Sequence, residues 1–342
     1  MAKEKDESKK SAGEIVIEQF LKDVEESDEI PWMQPYNMYS AFNWYTKTQY
    51  RGFNRLILPF GEYITYNQMV EYNKKTKSNY RYDKENGRWY YVIFFKRDEQ
   101  NVDSDWAINN LPQDAIDALN SPSGGRYRYK GWLYFSDKDG NIKRVRNILK
   151  YSRVAERKCW IDPDTGKCPP SRIETGEVEI ERFDAKAVFD AYVDREGIRV
   201  DETTEIPCFI PAFDMVQLNK HSTNEEFWWA TAFHELAHST MMPSRLNREF
   251  YRYVIKNQDR PEGYNEKDIR AKEECIAEIA ASMVCSECNI AEFKTSESMQ
   301  YQNHIAYVQS WKKRIKDWGT SFIYIVSEAE KAYLYILGEK DE

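Results

Sequence analysis

The chain has 342 residues, a net charge of −8 and 15% aromatic side chains, among them 24 tyrosines and 10 tryptophans. That length accommodates two domains with separate cores, and no apolar run approaches the roughly 20 residues of a membrane helix, so no membrane-spanning helix is expected. The charged start, Met1 to Lys10, lacks the pattern of a secretory leader, and the six cysteines follow no disulfide-framework spacing, so a cytoplasmic protein with reduced thiols and a disordered segment at 1–12 is expected.

In chain order, a helix is predicted over Gly13–Glu26, ahead of Pro31-Trp32, and a second over Tyr66–Thr76. Asn86-Gly87 reads as a turn entering a strand at Arg88–Arg97, and Pro112–Leu119 as a short helix in a polar insertion that ends at Ser121–Gly125. Arg126–Lys130, Trp132–Phe135 and Ile142–Tyr151 read as antiparallel strands, the last two joined by a turn at Asp137–Gly140. The stretch at 159–182, rich in Pro, Asp and Gly in its first part, is the expected linker or flap. A helix at Ala185–Glu196, a strand around Cys208–Leu218, two further helices and an amphipathic segment over Ser298–Leu337 follow. The expectation is an α+β fold of two domains, 13–158 with antiparallel strands and a mainly helical 183–342.

Charge is divided unevenly. Residues 44–160 hold 22 Lys and Arg against 13 Asp and Glu, a balance of +9, which leaves −17 on the rest. Within the basic part, cations interleave with rings, as in Tyr50-Arg51-Gly52-Phe53-Asn54-Arg55 and in Arg126-Tyr127-Arg128-Tyr129-Lys130. Arg126, Arg128 and Lys130 share one side of their strand, and Arg144 and Arg146 lie on the return strand. Cations that track phosphates beside rings that stack on bases suit single-stranded DNA. The same pattern also fits an aromatic core with a solvated basic face.

The chemistry-bearing motif is His234-Glu235-Leu236-Ala237-His238. A four-residue step sets both imidazoles on one helix face toward one ion, and Glu235 is placed to accept a proton from the attacking water without being a ligand. Asn224-Glu225-Glu226 supplies a cap and an acidic first turn, and Pro243 stops the helix. An open zinc site needs a third protein ligand. Glu274 on the next helix is the expected one, with Glu278 as an orienting group or alternative ligand and His221 and His304 as weaker candidates. Cys285-Ser286-Glu287-Cys288, lacking a partner pair, is read as structural.

The chain resembles the ArdC-type antirestriction proteins and, more broadly, the zincin-like peptidase domains of mobile-element polyvalent proteins. The resemblance is carried by Pro31-Trp32 with Tyr50-Arg51-Gly52-Phe53-Asn54, by Pro211–Val216, by Ala232–His238 with Ser244–Arg248, and by Glu273–Glu278. Ser239, Met241-Met242 and Arg270 depart from the family pattern. The resemblance implies a domain that binds single-stranded DNA joined to a metallopeptidase-like domain in a plasmid or phage protein that shields incoming DNA from restriction. It further implies DNA contacts at Tyr50, Arg51, Asn54 and Arg55, with Arg126, Arg128, Lys130, Arg144 and Arg146 adding charge. One Zn2+ held by His234, His238 and Glu274, with Glu235 as general base, would act on a protein or peptide substrate. Two other readings share these residues: a DNA-coating protein with a structural zinc, and a protease tethered to DNA that acts on DNA-bound proteins.

Overall fold

The computed structural model describes residues 10–27, 30–33, 38–121, 125–137, 139–220, 225–290 and 301–339. Its first elements are α1 (Ala12–Glu25), β1 (Phe42–Asn43), α2 (Phe53–Ile57), β2 (Glu62–Thr65), α3 (Tyr66–Thr76), β3 (Arg81–Tyr82) and β4 (Trp89–Val102). Then come α4 (Ser104–Asn110), α5 (Gln113–Leu119), β5 (Arg126–Tyr129), β6 (Trp132–Ser136), β7 (Ile142–Glu156) and β8 (Trp160–Ile161). The remainder is α6 (Ala185–Glu196), β9 (Arg199–Asp201), β10 (Cys208–Ile210), β11 (Met215–Gln217), α7 (Glu225–Ser239), α8 (Glu266–Glu287), α9 (Tyr301–Trp318) and α10 (Ser321–Leu337). The fold is α+β. No described helix is long and apolar enough to cross a membrane.

Two compact units result, one built on Ile93–Ser152 and the other on Glu14–Val92 with Arg153–Glu342. This partition differs from the expected one, which joined 13–158 and set a linker at 159–182. Tertiary burial is the reason. Trp32 packs on Trp311 and Phe322, and Phe20 and Phe53 also pack on Phe322, which locks the early helices to α9 and α10. The 159–182 stretch is packed too. Trp160 is buried, the Trp44 indole donates to Pro170 O at 2.7 Å, and the Arg172 N–H donates to Glu62 at 2.6 Å.

In the 93–152 unit, β5, β6 and the start of β7 form an antiparallel meander, and β4 pairs with β7. Helices α4 and α5 cover one face of it, burying Ala107, Leu111, Ala115 and Leu119 against Tyr134. The second unit centres on α8, most of whose side chains are buried, with α7 and α10 packed along it. A small sheet in the order β10-β11-β9 lies beside α7. The segment predicted as one amphipathic stretch at Ser298–Leu337 is broken into α9 and α10 at Gly319, whose φ of 52° is costly for other residues. Residues 298–300 of that stretch, residues 1–9 of the expected disordered start, Asn224 and His221, and the His304 side chain lie outside what is described.

Candidate metal centre

Helix α7 buries Trp228, Phe233, Leu236 and Ala237, and the small residues Ala232 and Ala237 let its neighbours approach closely. Against this packed face the two histidines emerge together. His234 Nε2 and His238 Nε2 stand 3.1 Å apart, and Glu274 Oε2 on α8 lies 3.6 Å from each. A tetrahedral ion with ligand bonds of about 2.0–2.2 Å spaces its donors roughly 3.3–3.6 Å apart. The three atoms therefore have a spacing that suits one divalent ion. Glu235, next along the helix, is 7% exposed.

Behind this set stands a support that sequence reading missed. Glu273 Oε1 lies 3.2 Å from His238 Nδ1, and Arg248 grips the Glu273 carboxylate with Nε at 2.9 Å and Nη2 at 2.5 Å. Arg248 Nη2 also donates to Ala237 O at 2.9 Å, and Arg245 Nη1 to Ser239 O at 2.9 Å, so two arginines cap the end of α7. The only signal in the chain was the Glu273-Glu274 doublet and the Arg248 that follows the motif. Glu278, the expected orienting group or alternative ligand, is elsewhere. One turn beyond Glu274, its carboxylate accepts from Trp32 Nε1 at 3.1 Å and from the Tyr307 hydroxyl. The family departures lie outside the donor set, with Ser239 bonded to Tyr192 and Arg270 ion-paired to Glu266.

These contacts set the charge of the centre. Burial works against an imidazolium at His238, but hydrogen bonds and charge from Glu273 and Glu274 outweigh it and push the group up to about 10. Burial likewise opposes the charged form of Glu273, which Arg248 and then His238 nevertheless hold down to about 2. Glu274 is also held below the ordinary carboxylate range, against burial, by His234 and His238. Binding an ion must therefore expel a proton from His238. Affinity for Zn2+ is expected to rise about tenfold per pH unit between about pH 6 and 8 and to fall as the pH drops. A competition titration with a zinc chelator checks this, and an affinity flat over that range would contradict it.

The residues expected at DNA are scattered. Tyr50 is half-buried, accepts from Asn43 Nδ2 at 3.1 Å, and burial pushes its phenol up to about 12. Asn54 is half-buried in α2. Arg51 is exposed but borders a cavity of about 250 Å³ that Glu179, Glu181, Glu287 and Glu330 also line, a poor setting for a phosphate. Arg55 is a correction. It is 2% exposed, pairs with Glu287 at 2.7 Å and sits 4.8 Å from the Tyr333 ring centroid, so it is a core cation and not a DNA contact. In the 93–152 unit Arg126, Arg128 and Lys130 are exposed. Arg144 and Arg146 instead stack on the Trp132 ring at 4.4 and 4.2 Å and bond to Gln100 and Asp98.

Comparison with known proteins agrees with this geometry. Residues 187–324 match the zincin-like metallopeptidase family. Two curated relatives, both DNA primase TraC of Escherichia coli, are 33% identical over 129 residues and 34% identical over 110. Those segments are 37% and 32% of this chain but only 8% and 9% of the primases, so the chain spans under a tenth of their length. Among solved structures, metal-free antirestriction protein ArdC from plasmid R388 shares the fold with a TM-score of 0.57 at 19% identity, covering 96% of this chain and 99% of that one. The Mn(II)-bound structure of that protein gives 0.56 at 18%, covering 95% and 96%. Residues 187–324 thus match a zincin-like metallopeptidase family model, and the chain shares the fold of the ArdC structures.

Proposed function

We propose that this is an antirestriction protein of a mobile element which binds single-stranded DNA and carries one zinc-dependent peptidase centre. The observation that carries the catalytic half is the spacing of the His234, His238 and Glu274 donor atoms, with Glu235 beside them on α7. A structural zinc is closed by four protein ligands, whereas the cluster among the described residues offers three, which favours an open catalytic site over a purely structural ion.

A bound ion would supply Lewis-acid chemistry, polarising the scissile carbonyl. The chain's own residues do the rest. Glu235 takes a proton from the attacking water and passes it to the leaving amine. Arg248 fixes Glu273, Glu273 fixes the His238 ring, and the imidazole keeps its Nε2 aimed at the donor set. Edge strand β10 packs beside α7, and there burial, with the charge of Glu235, holds the Cys208 thiol above its ordinary value. An edge strand next to the general base can pair with an extended peptide backbone, which supports a peptide or protein substrate.

Elemental analysis is expected to find one zinc per chain in the wild type and a loss of at least tenfold in metal affinity in Glu274→Ala. Affinity for single-stranded DNA is expected to exceed that for duplex and to fall steeply with salt. Purified protein without metal, or with equal affinity at low and high salt, would overturn the corresponding half of the reading.

A further inference from the structure

Among the described residues of the 93–152 unit, helices α4 and α5 cover one face of the sheet and no helix covers the other. The strand register places on that covered side Tyr127, opposite Tyr134, and Arg144, opposite Tyr134 in turn. Tyr127, Tyr129 and Trp132 pack there with the core under α4 and α5, and Arg144 lies over Trp106 and Trp132. Alternation then assigns the neighbours to the opposite, helix-free face. They are Arg126, opposite Phe135 and Lys143, and Arg128, opposite Leu133 and Val145. Tyr151, six residues on from Val145, falls on the same side. On β4 the Lys143–Glu99 contact of 4.0 Å puts Glu99 there, and with it Arg97 and Phe95.

This open face has an unusual makeup. Phe95 is 58% and Tyr151 42% exposed, with Phe135 partly exposed, and Arg97, Arg126 and Arg128 stand exposed among them. Large rings exposed together on a sheet face mark a surface that meets a partner. Four cations, Lys143 included, outnumber the carboxylates they meet, Glu99 beside Arg97 and Lys143 and Asp137 beside Lys143; the remaining positive charge makes the partner anionic, and a second copy would bring like charges together. Unstacked bases offer a π-face to each ring while the backbone offers phosphates to the arginines; a duplex hides its base faces.

We infer that the helix-free face of this sheet is where single-stranded DNA lies, its bases stacked on Phe95, Tyr151 and Phe135 and its phosphates held by Arg97, Arg126 and Arg128. The inference rests on the proposed single-strand binding and adds its location. It moves the site away from the 50–55 segment and assigns Arg144 and Arg146 to shaping the sheet rather than to holding DNA.

The test is fluorescence anisotropy of a labelled oligothymidylate titrated with the full chain. Phe95→Ala with Tyr151→Ala should raise Kd tenfold or more without changing the salt slope. Arg126→Glu with Arg128→Glu should raise Kd and flatten the slope of log Kd against log salt by about 1.4. Should the alanine pair melt below wild type, Phe95→Tyr with Tyr151→Phe keeps both rings and must keep wild-type Kd; a tenfold loss in that pair overturns the stacking role. Wild-type binding that the alanine pair leaves intact overturns the location alone. A wild type that binds no single strand overturns the location together with the reading beneath it. A dimer that the alanine pair splits, with Kd unchanged, would give the face to a second copy and overturn the inference as well.

Discussion

On the proposed reading, Glu235→Gln should retain divalent-metal binding and its melting temperature while peptide hydrolysis falls by about 10²–10⁴-fold. The exchange is isosteric, and Glu235 is neither one of the three clustered donors nor exposed, being 7% accessible. What the amide loses is the ability to accept a proton from the attacking water, a step that, among the described residues of the centre, neither Glu273 nor Glu274 is free to take over. Glu274 is committed to the histidines at 3.6 Å, and Glu273 is held between Arg248 and His238. The decisive measurement pairs hydrolysis with protection of DNA from restriction. Wild-type hydrolysis by this variant would refute the general-base assignment. Protection that survives the loss of hydrolysis would show that shielding works by coating the strand and that the peptidase centre serves another purpose, such as clearing DNA-bound proteins.

The second large effect concerns stability. Arg55→Ala should destabilise the protein by about 3–5 kcal/mol, because it leaves the Glu287 carboxylate in the core without its cation. Arg55 is 2% exposed, its Nη2 reaches Glu287 at 2.7 Å and Ser286 at 3.4 Å, and its Nε donates to the Met38 carbonyl. Removing both charges should hurt less than removing one. Arg55→Ala with Glu287→Ala is therefore expected to recover part of the loss in a denaturant titration, with a coupling of about 1–3 kcal/mol. An Arg55→Ala protein that unfolds at the wild-type denaturant concentration yet fails to bind DNA would restore the residue to the DNA surface and refute its role in the core.

These two residues illustrate what can and cannot be read from one chain. Glu235 was legible as a candidate because its position beside the two histidines depends on local geometry. One helical turn sets the spacing of His234 and His238, and the residues around them decide that a helix forms. The hairpin at 126–151 was legible for the same reason, since alternating side chains and a turn specify its strands. Arg55 was misread because a cation beside rings looks alike whether those rings face water or a core. Its fate depends on Glu287 and Tyr333, more than two hundred residues away in the chain.

The choice among the acidic residues of α8 shows the same limit. Glu273, Glu274 and Glu278 were all visible, and helical spacing alone grouped Glu274 with Glu278. Only the crossing of α7 over α8, with Arg248 returning from the following loop, gave Glu273 the orienting role and sent Glu278 to Trp32 and Tyr307. By itself, then, the amino-acid order determined the helix that carries the two histidines, the candidate carboxylate Glu274 and the basic strands, because each follows from short-range periodicity and residue chemistry. Tertiary structure alone decided which cations are buried, which carboxylate backs the histidine and where the compact units divide. Those outcomes depend on which distant surfaces meet, and burial can turn the same side chain from a ligand contact into part of the core.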